Sequence, residues 1–130
     1  MIGYFDGASR GNPGEAGAGA CLVDDSGDVV WRCAEYLGRK TNNEAEYSAL
    51  LRLLVHAREL GIRELEARGD SKLVISQLKR EWKINKPWLR DLAAQAWEIM
   101  SDMNVDLVWV PRESNKIADA LSNKGIDEKP

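Results

Sequence analysis

Carboxylates that end strands, or interrupt the apolar face of a helix, are the residues of this sequence best placed to do chemistry. Asp6 follows the short apolar run Gly3-Tyr4-Phe5, and Asp70 follows the β-prone run Glu64–Gly69. Both therefore stand at expected strand ends, where the sites of α/β sheets gather. Asp70, lying before Ser71, also has the makings of a helix N-cap. Between them, Thr41-Asn42-Asn43-Glu44-Ala45-Glu46-Tyr47 opens a helix, and Glu44 stands at the spacing from Thr41 that a capping box requires. Glu46 has no such structural role. It precedes Leu50, Leu53 and Ala57 at helical spacing, so it shares the apolar face and points toward the sheet. An inward carboxylate costs free energy unless paired or metal-bound, and the sequence offers it no obvious buried partner. Asp119, among Ile117, Ala118 and Leu121, reads by itself as an exposed residue of a short amphipathic helix; joined to the other three it completes a cluster of four. Clustered carboxylates repel one another, and two Mg²⁺ ions are the usual compensation.

Other chemistries find little support. With a single histidine, His56, and two cysteines, Cys21 and Cys33, no zinc-type ligand set can be assembled, so a catalytic metal must sit on oxygen. No Cys-His or Ser-His arrangement is apparent, and His56, midway along its helix, reads as ordinary surface. The stretch Gly11-Asn12-Pro13-Gly14 lacks both the Gly-Lys-Ser/Thr ending of a P-loop and the spacing of a dinucleotide-binding fingerprint.

The elements that must position the carboxylates follow from periodicity and turn chemistry. Strands are expected at Gly3–Asp6, Ala16–Val23 and Val29–Tyr36, with turns at Gly11–Gly14 and Asp24–Gly27. If the second turn has three residues centred on Gly27, Cys21 and Cys33 face each other; in a reducing compartment they remain small buried hydrophobes. Leu50, Leu53, Leu54, Ala57 and Leu60 mark a helix from Asn43 to Leu60, closed by Gly61. Then come a strand at Glu64–Gly69, a helix at Ser71–Arg80, a longer helix from Pro87 to about Asp102, a strand at Val105–Val110 and a short helix from Asn115. This order describes an α/β domain over residues 1–123, its mixed sheet joining an antiparallel half to βαβ crossovers, with a polar tail at 124–130.

At 130 residues the chain is one domain's worth, and 44% hydrophobic with 30% charged residues is ordinary for a globular protein. No apolar run is long enough to span a membrane and the opening residues do not read as a signal peptide, so a cytoplasmic address is expected. The net charge of −3 hides a local excess. From Ser71 to Arg90 there are six basic residues (Lys72, Lys79, Arg80, Lys83, Lys86 and Arg90) against one acidic, Glu81. Such a run suits first a solvated helix face, and as an alternative a strip that meets a polyanion. Trp82, Trp88 and Trp97 accompany it; most belong to the core, and Trp82, between Glu81 and Lys83, is the expected surface platform.

Four motifs in register, Asp6-Gly7-Ala8-Ser9-Arg10-Gly11-Asn12-Pro13-Gly14, Thr41-Asn42-Asn43 to Glu46-Tyr47, Gly69-Asp70-Ser71, and Asn115-Lys116-Ile117-Ala118-Asp119-Ala120-Leu121, resemble type 1 ribonuclease H over nearly the whole chain. The resemblance implies the ribonuclease H-like fold, a five-stranded mixed sheet in the order 3-2-1-4-5 flanked by helices. It also implies metal-dependent cleavage of the RNA strand of RNA–DNA hybrids, leaving 3′-hydroxyl and 5′-phosphate ends. Mg²⁺ would be the cofactor, two ions per site, with Mn²⁺ as a substitute. The catalytic and metal-binding carboxylates would be Asp6, Glu46, Asp70 and Asp119. Gly7, Ala8, Asn12 and Asn43 would meet the RNA strand, Thr41 and Asn42 a DNA phosphate, and Lys72, Trp82 and Lys83 the hybrid along the basic stretch. No membrane and no obligate protein partner are implied, and the expected state is a monomer. Two departures stand out. The Trp82–Pro87 connection is too short for the basic extra helix of many members, and the loop before Asp119 has no histidine, so Arg112 or Glu113 would assist product release. The alternatives left open are a hybrid-binding module without turnover and a nuclease of the same fold acting on double-stranded RNA or DNA junctions.

Overall fold

Alternation along the second strand decides how the layers stack. The structure is a computed structural model describing residues Met1–Pro130. Its elements are β1 (Ile2–Gly11), β2 (Gly14–Val23), β3 (Val29–Lys40), α1 (Asn42–Glu59), β4 (Glu64–Gly69), α2 (Lys72–Leu78), α3 (Pro87–Met100), β5 (Asn104–Trp109), a 3-10 turn at Arg112–Ser114 and α4 (Lys116–Asp127). In β2 the side chains of Ala18, Ala20 and Leu22 join the main core with Phe5, Leu50, Leu53 and Leu54. The intervening Gly19 faces the opposite way: a Cβ there would overlap the backbone of Ala118 and Ser122, so the missing side chain lets α4 lie directly on the strand. Helices α1, α2 and α3 thus share one face of the sheet and α4 covers the other.

The sheet has five strands in the order β3-β2-β1-β4-β5. β1 runs antiparallel to β2 along its full length but parallel to β4 only from Ile2 to Phe5, and β4 and β5 are parallel. The mixed α/β architecture and strand order are those expected. β1 is longer than expected because Gly11 pairs directly with Gly14 and the ladder continues to that turn. Asp6 is therefore not the end of a strand. It lies one step beyond the end of the parallel pairing, where β1 and β4 part, which gives it the expected position at the carboxyl end of the parallel strands.

Three further expectations need correction. Cys21 and Cys33 are free thiols and do not face each other: Cys21 pairs with Arg32 and Cys33 with Ala20, putting the sulfurs on opposite faces. The turn is centred on Ser26 and not Gly27, with Val23 opposite Val29, and a register shift between Leu22 and Val23 then turns the two sulfurs to opposite faces. Residues 124–127 continue α4 instead of forming tail, and Gly125 and Ile126 are buried. Leu60 and Trp88 are largely exposed, not core. In α3 the buried positions are Leu89, Ala93, Ala96 and Ile99, so Trp88, one residue out of phase, projects outward.

Candidate active site

Two of the acidic side chains, Glu46 and Asp70, are spared capping duty by a neighbouring residue. In α1 the capping box is complete, with the Thr41 hydroxyl accepting from the Glu44 backbone N–H and the Glu44 carboxylate accepting from the Thr41 N–H. Glu44 is thus occupied by the cap, and Glu46, two residues further, is buried against the sheet. At the end of β4 the cap of α2 is Ser71, whose Oγ accepts from the Val74 N–H, so Asp70 carries no capping duty. Gly7 allows α1 to approach: a Cβ there would overlap the Ala45 carbonyl carbon and the Glu46 nitrogen.

The result is a group of three carboxylates, Asp6, Glu46 and Asp70, with one oxygen from each lying within 4.8 Å of the others. Asp119 lines the same cleft, but its carboxylate is outside that tight group. It lies 3.8 Å from the Arg112 guanidinium and accepts from the Asn123 amide at 3.4 Å. The Ser122 hydroxyl, about one helical turn after Asp119, reaches Asp6 Oδ2 at 3.3 Å. The cleft, about 350 Å³, is lined also by Gly7, Ala8, Asn42 and Arg112.

Burial dominates the electrostatics. Desolvation pushes Asp6 up to about 7, reinforced by the charge of Asp70 and by Asp119. Burial likewise raises Glu46 well above the usual carboxylate range, with Asp6 beside it adding to the effect. The Oε2 atom of Glu46 is buried without any hydrogen-bond partner. Oxygen-only donors crowded together, one of them unpartnered, fit a hard divalent cation, which would satisfy Glu46 and offset the repulsion.

Other expected residues fall into three places. Asn12 accepts from the Asn42 N–H at 3.1 Å, tying the β1–β2 turn to the start of α1 beside the cleft. Thr41 acts as the cap and Asn43 sits in the first turn of α1. Lys72 lies next to Asp70, its Nζ 4.6 Å from the centroid of the Trp109 ring. Trp82 and Lys83 line a separate groove with Gln77, Arg80, Arg90 and Trp97, and Trp82 is 50% exposed. Glu113 lines another depression, with Tyr4 and Val23, so of the two product-release candidates only Arg112 borders the cleft. Ser9, Arg10 and Asn123 also line the cleft and were not anticipated. Only Asn123 carried a usable signal, standing one helical turn beyond Asp119.

A family model described as reverse transcriptase-like matches residues 4–125. Over 126 residues, 96% of this chain and 63% of the relative, the sequence is 44% identical to ribonuclease HI of Halobacterium salinarum. It is 42% identical over 124 residues to the bifunctional protein Rv2228c of Mycobacterium tuberculosis, covering 94% of this chain and 34% of that protein. The chain therefore spans less than two thirds of these curated relatives. The crystal structure of RNase H1 from the halophilic archaeon Halobacterium salinarum is similar with a TM-score of 0.95 and 43% identity, over 98% of both chains. LC11-RNase H1 in complex with RNA/DNA hybrid gives a TM-score of 0.93 at 38% identity, over 98% of this chain and 96% of that one. Sheet order and neighbours alike define the ribonuclease H-like fold. Within it, the chain belongs to the type 1 ribonuclease H family.

Proposed function

We propose that this chain is an endonuclease that hydrolyses the RNA strand of RNA–DNA hybrids, leaving 3′-hydroxyl and 5′-phosphate ends. The observation that carries the reading is the buried, unpartnered Glu46 Oε2 inside a three-carboxylate group where β1 and β4 part. Asp6, Glu46 and Asp70 would hold divalent cations, with Asp119 contributing from the cleft wall; Mg²⁺ is the proposed ion, two per site, and Mn²⁺ a substitute. Bound there, such ions supply Lewis-acid activation of a water and neutralise charge on the departing oxygen.

The chain's own groups do the rest. Gly7 and Ala8 give the cleft a wall without bulky side chains, where a strand can approach the backbone. The Asn12–Asn42 link holds the turn and the helix start that would meet the RNA strand through Asn12 and Asn43, and a DNA phosphate through Thr41 and Asn42. Lys72, Trp82 and Lys83 would follow the duplex away from the cleft. Arg112, 78% exposed and 3.8 Å from Asp119, would accompany a departing phosphate. All four carboxylates come from one chain, so a monomer suffices. No helix is long and apolar enough to cross a membrane. Cytoplasmic action is part of the same proposal.

The test is cleavage of labelled RNA–DNA, RNA–RNA, DNA–DNA and single-ribonucleotide DNA duplexes, each with Mg²⁺, Mn²⁺ or EDTA. Cutting of the hybrid's RNA strand in the metal-containing tubes, lost in Asp70→Asn, is the expected result. Preferential cutting of another duplex would overturn the substrate assignment, and binding without cutting would overturn the activity.

A further inference from the structure

The connection between α2 and α3, Lys79–Lys86, contains no helix or strand, yet side chains from three helices fasten its ends and middle. Gln77 of α2, only 4% exposed, donates from Nε2 to the carbonyl oxygen of Lys83 at 3.1 Å. The hydroxyl of Tyr47, fully buried in α1, donates to Gln77 Oε1 at 2.7 Å. Arg90 of α3 donates to the carbonyls of Ile84 at 2.7 Å and Asn85 at 3.3 Å. Arg80 lays its guanidinium 3.8 Å from the centroid of the Trp97 ring, whose indole N–H donates to the Leu78 carbonyl.

Within this set the Tyr47–Gln77–Lys83 relay spans the greatest functional distance. Tyr47 follows Glu46 directly, so the relay begins beside the carboxylate cleft and ends on the backbone of the residue next to half-exposed Trp82. Its direction is dictated by chemistry. A backbone carbonyl accepts and cannot donate, so the Gln77 amide must turn Nε2 toward Lys83, leaving Oε1 for the Tyr47 hydroxyl. Each member has its partner, and a buried, satisfied network of this kind specifies one arrangement. Neither residue touches the cleft, and the chemistry assigned above uses neither.

We propose that Gln77 is a positioning residue for the substrate, fixing the Trp82–Lys83 shelf relative to the carboxylate cleft so that a hybrid seated on the shelf presents one phosphate to the cleft. Tyr47 satisfies the remaining amide oxygen and so contributes to the stability of the anchor, while the bond to Lys83 fixes the shelf. This inference rests on the proposed hybrid cleavage. Without the anchor the loop keeps its charges but must be ordered at each binding event, which weakens binding and loosens the choice of phosphate.

The experiment compares Gln77→Met, Tyr47→Phe and Lys83→Ala with the wild type on a short end-labelled hybrid, reading KM, kcat and the positions of the cuts. Gln77→Met removes both hydrogen bonds with little change of volume. It is expected to raise KM about five- to tenfold, leave kcat within about twofold and spread the cuts over neighbouring phosphates. Tyr47→Phe keeps the bond to Lys83, so it lowers thermal stability while KM stays within about twofold of the wild type. Lys83→Ala added to Gln77→Met costs less than the two single effects combined. If Gln77→Met does not fold, Gln77→Asn, which keeps an amide but cannot reach both partners, carries the same expectation.

A Gln77→Met enzyme with wild-type KM and cutting positions overturns the anchor alone. So does an equal rise in KM for Tyr47→Phe, which would mark general loosening. A wild-type chain that cleaves no hybrid overturns the parent reading and this assignment with it.

Discussion

Trp109, the last residue of β5, donates its indole N–H to the backbone carbonyl of Asp70 at 3.1 Å. The edge strand therefore holds the main chain at the point where β4 ends and a cleft carboxylate begins. The same indole carries Lys72 over its face. Trp109→Phe removes the hydrogen bond but keeps an aromatic face, whereas Trp109→Leu removes both. We expect Trp109→Phe to lower kcat severalfold with little change in KM, and Trp109→Leu to raise KM as well. Steady-state kinetics on a labelled hybrid would separate the two, and identical profiles for both variants would show that Lys72 does not depend on the ring.

The buried carboxylates make stability in EDTA depend on pH in an unusual direction. Asp6 rises from an ordinary value of 3.8 to about 7 and Glu46 is raised as well, so between about pH 4 and pH 7 the folded chain holds protons that the unfolded chain has released. The contribution of these groups to stability is greatest below that window and is lost as pH rises through it. Mg²⁺ binds the charged form, so its stabilising effect should grow with pH. Melting curves across this range, with EDTA or Mg²⁺, test this. Glu46→Gln should flatten the EDTA curve, melt higher than the wild type near neutral pH and lose cleavage; a slope as steep as the wild type would contradict the assignment.

Gly7→Ala should damage both fold and function, because the new methyl group meets backbone at the first turn of α1 and cannot be relieved by a rotamer change. A loss of about 1–3 kcal/mol in urea denaturation is expected, together with weaker metal binding as Glu46 is displaced. A stable variant with undiminished activity would mean that α1 can retreat without moving Glu46.

His56 stacks on Trp31, with ring centroids 4.2 Å apart and planes 11° from parallel. The pair bridges α1 and β3 beside the Arg52–Glu35 ion pair and away from the cleft residues. His56→Ala should cost about 0.5–1.5 kcal/mol of stability and leave the cleavage rate unchanged. A fall in rate at full stability would assign this histidine a part in the reaction that its position does not predict.

What could be read from the residues, and what could not, divides along physical lines. Glu46 was legible because helical periodicity fixes direction: a residue in phase with Leu50 and Leu53 must face the sheet. Asp70 was ambiguous because Asp and Ser are both good caps, and the choice of Ser71 depends on where α2 begins, a matter of one residue. The pairing of Cys21 with Cys33 failed on a turn centred on Ser26 in place of Gly27, and their faces on a bulge that composition does not announce. The contacts of Asp119 with Arg112 and Asn123, and the role of Trp109 beside Asp70, join elements distant in sequence or depend on the exact phase of a helix. Trp88 illustrates the same limit, since apolar character placed it inside while the phase set by Leu89 and Ala93 turned it out.

The cleft draws its acidic side chains from residues 6 to 119, and the last of them rides on α4, whose seat is the bare backbone at Gly19. Without α4 seated there the cleft would keep Asp6, Glu46 and Asp70 but lose Asp119, Asn123 and the hydroxyl of Ser122 beside Asp6. A side chain added at Gly19 would therefore act on the cleft from outside it, by lifting the backbone of Ala118 and Ser122 and with it one whole wall.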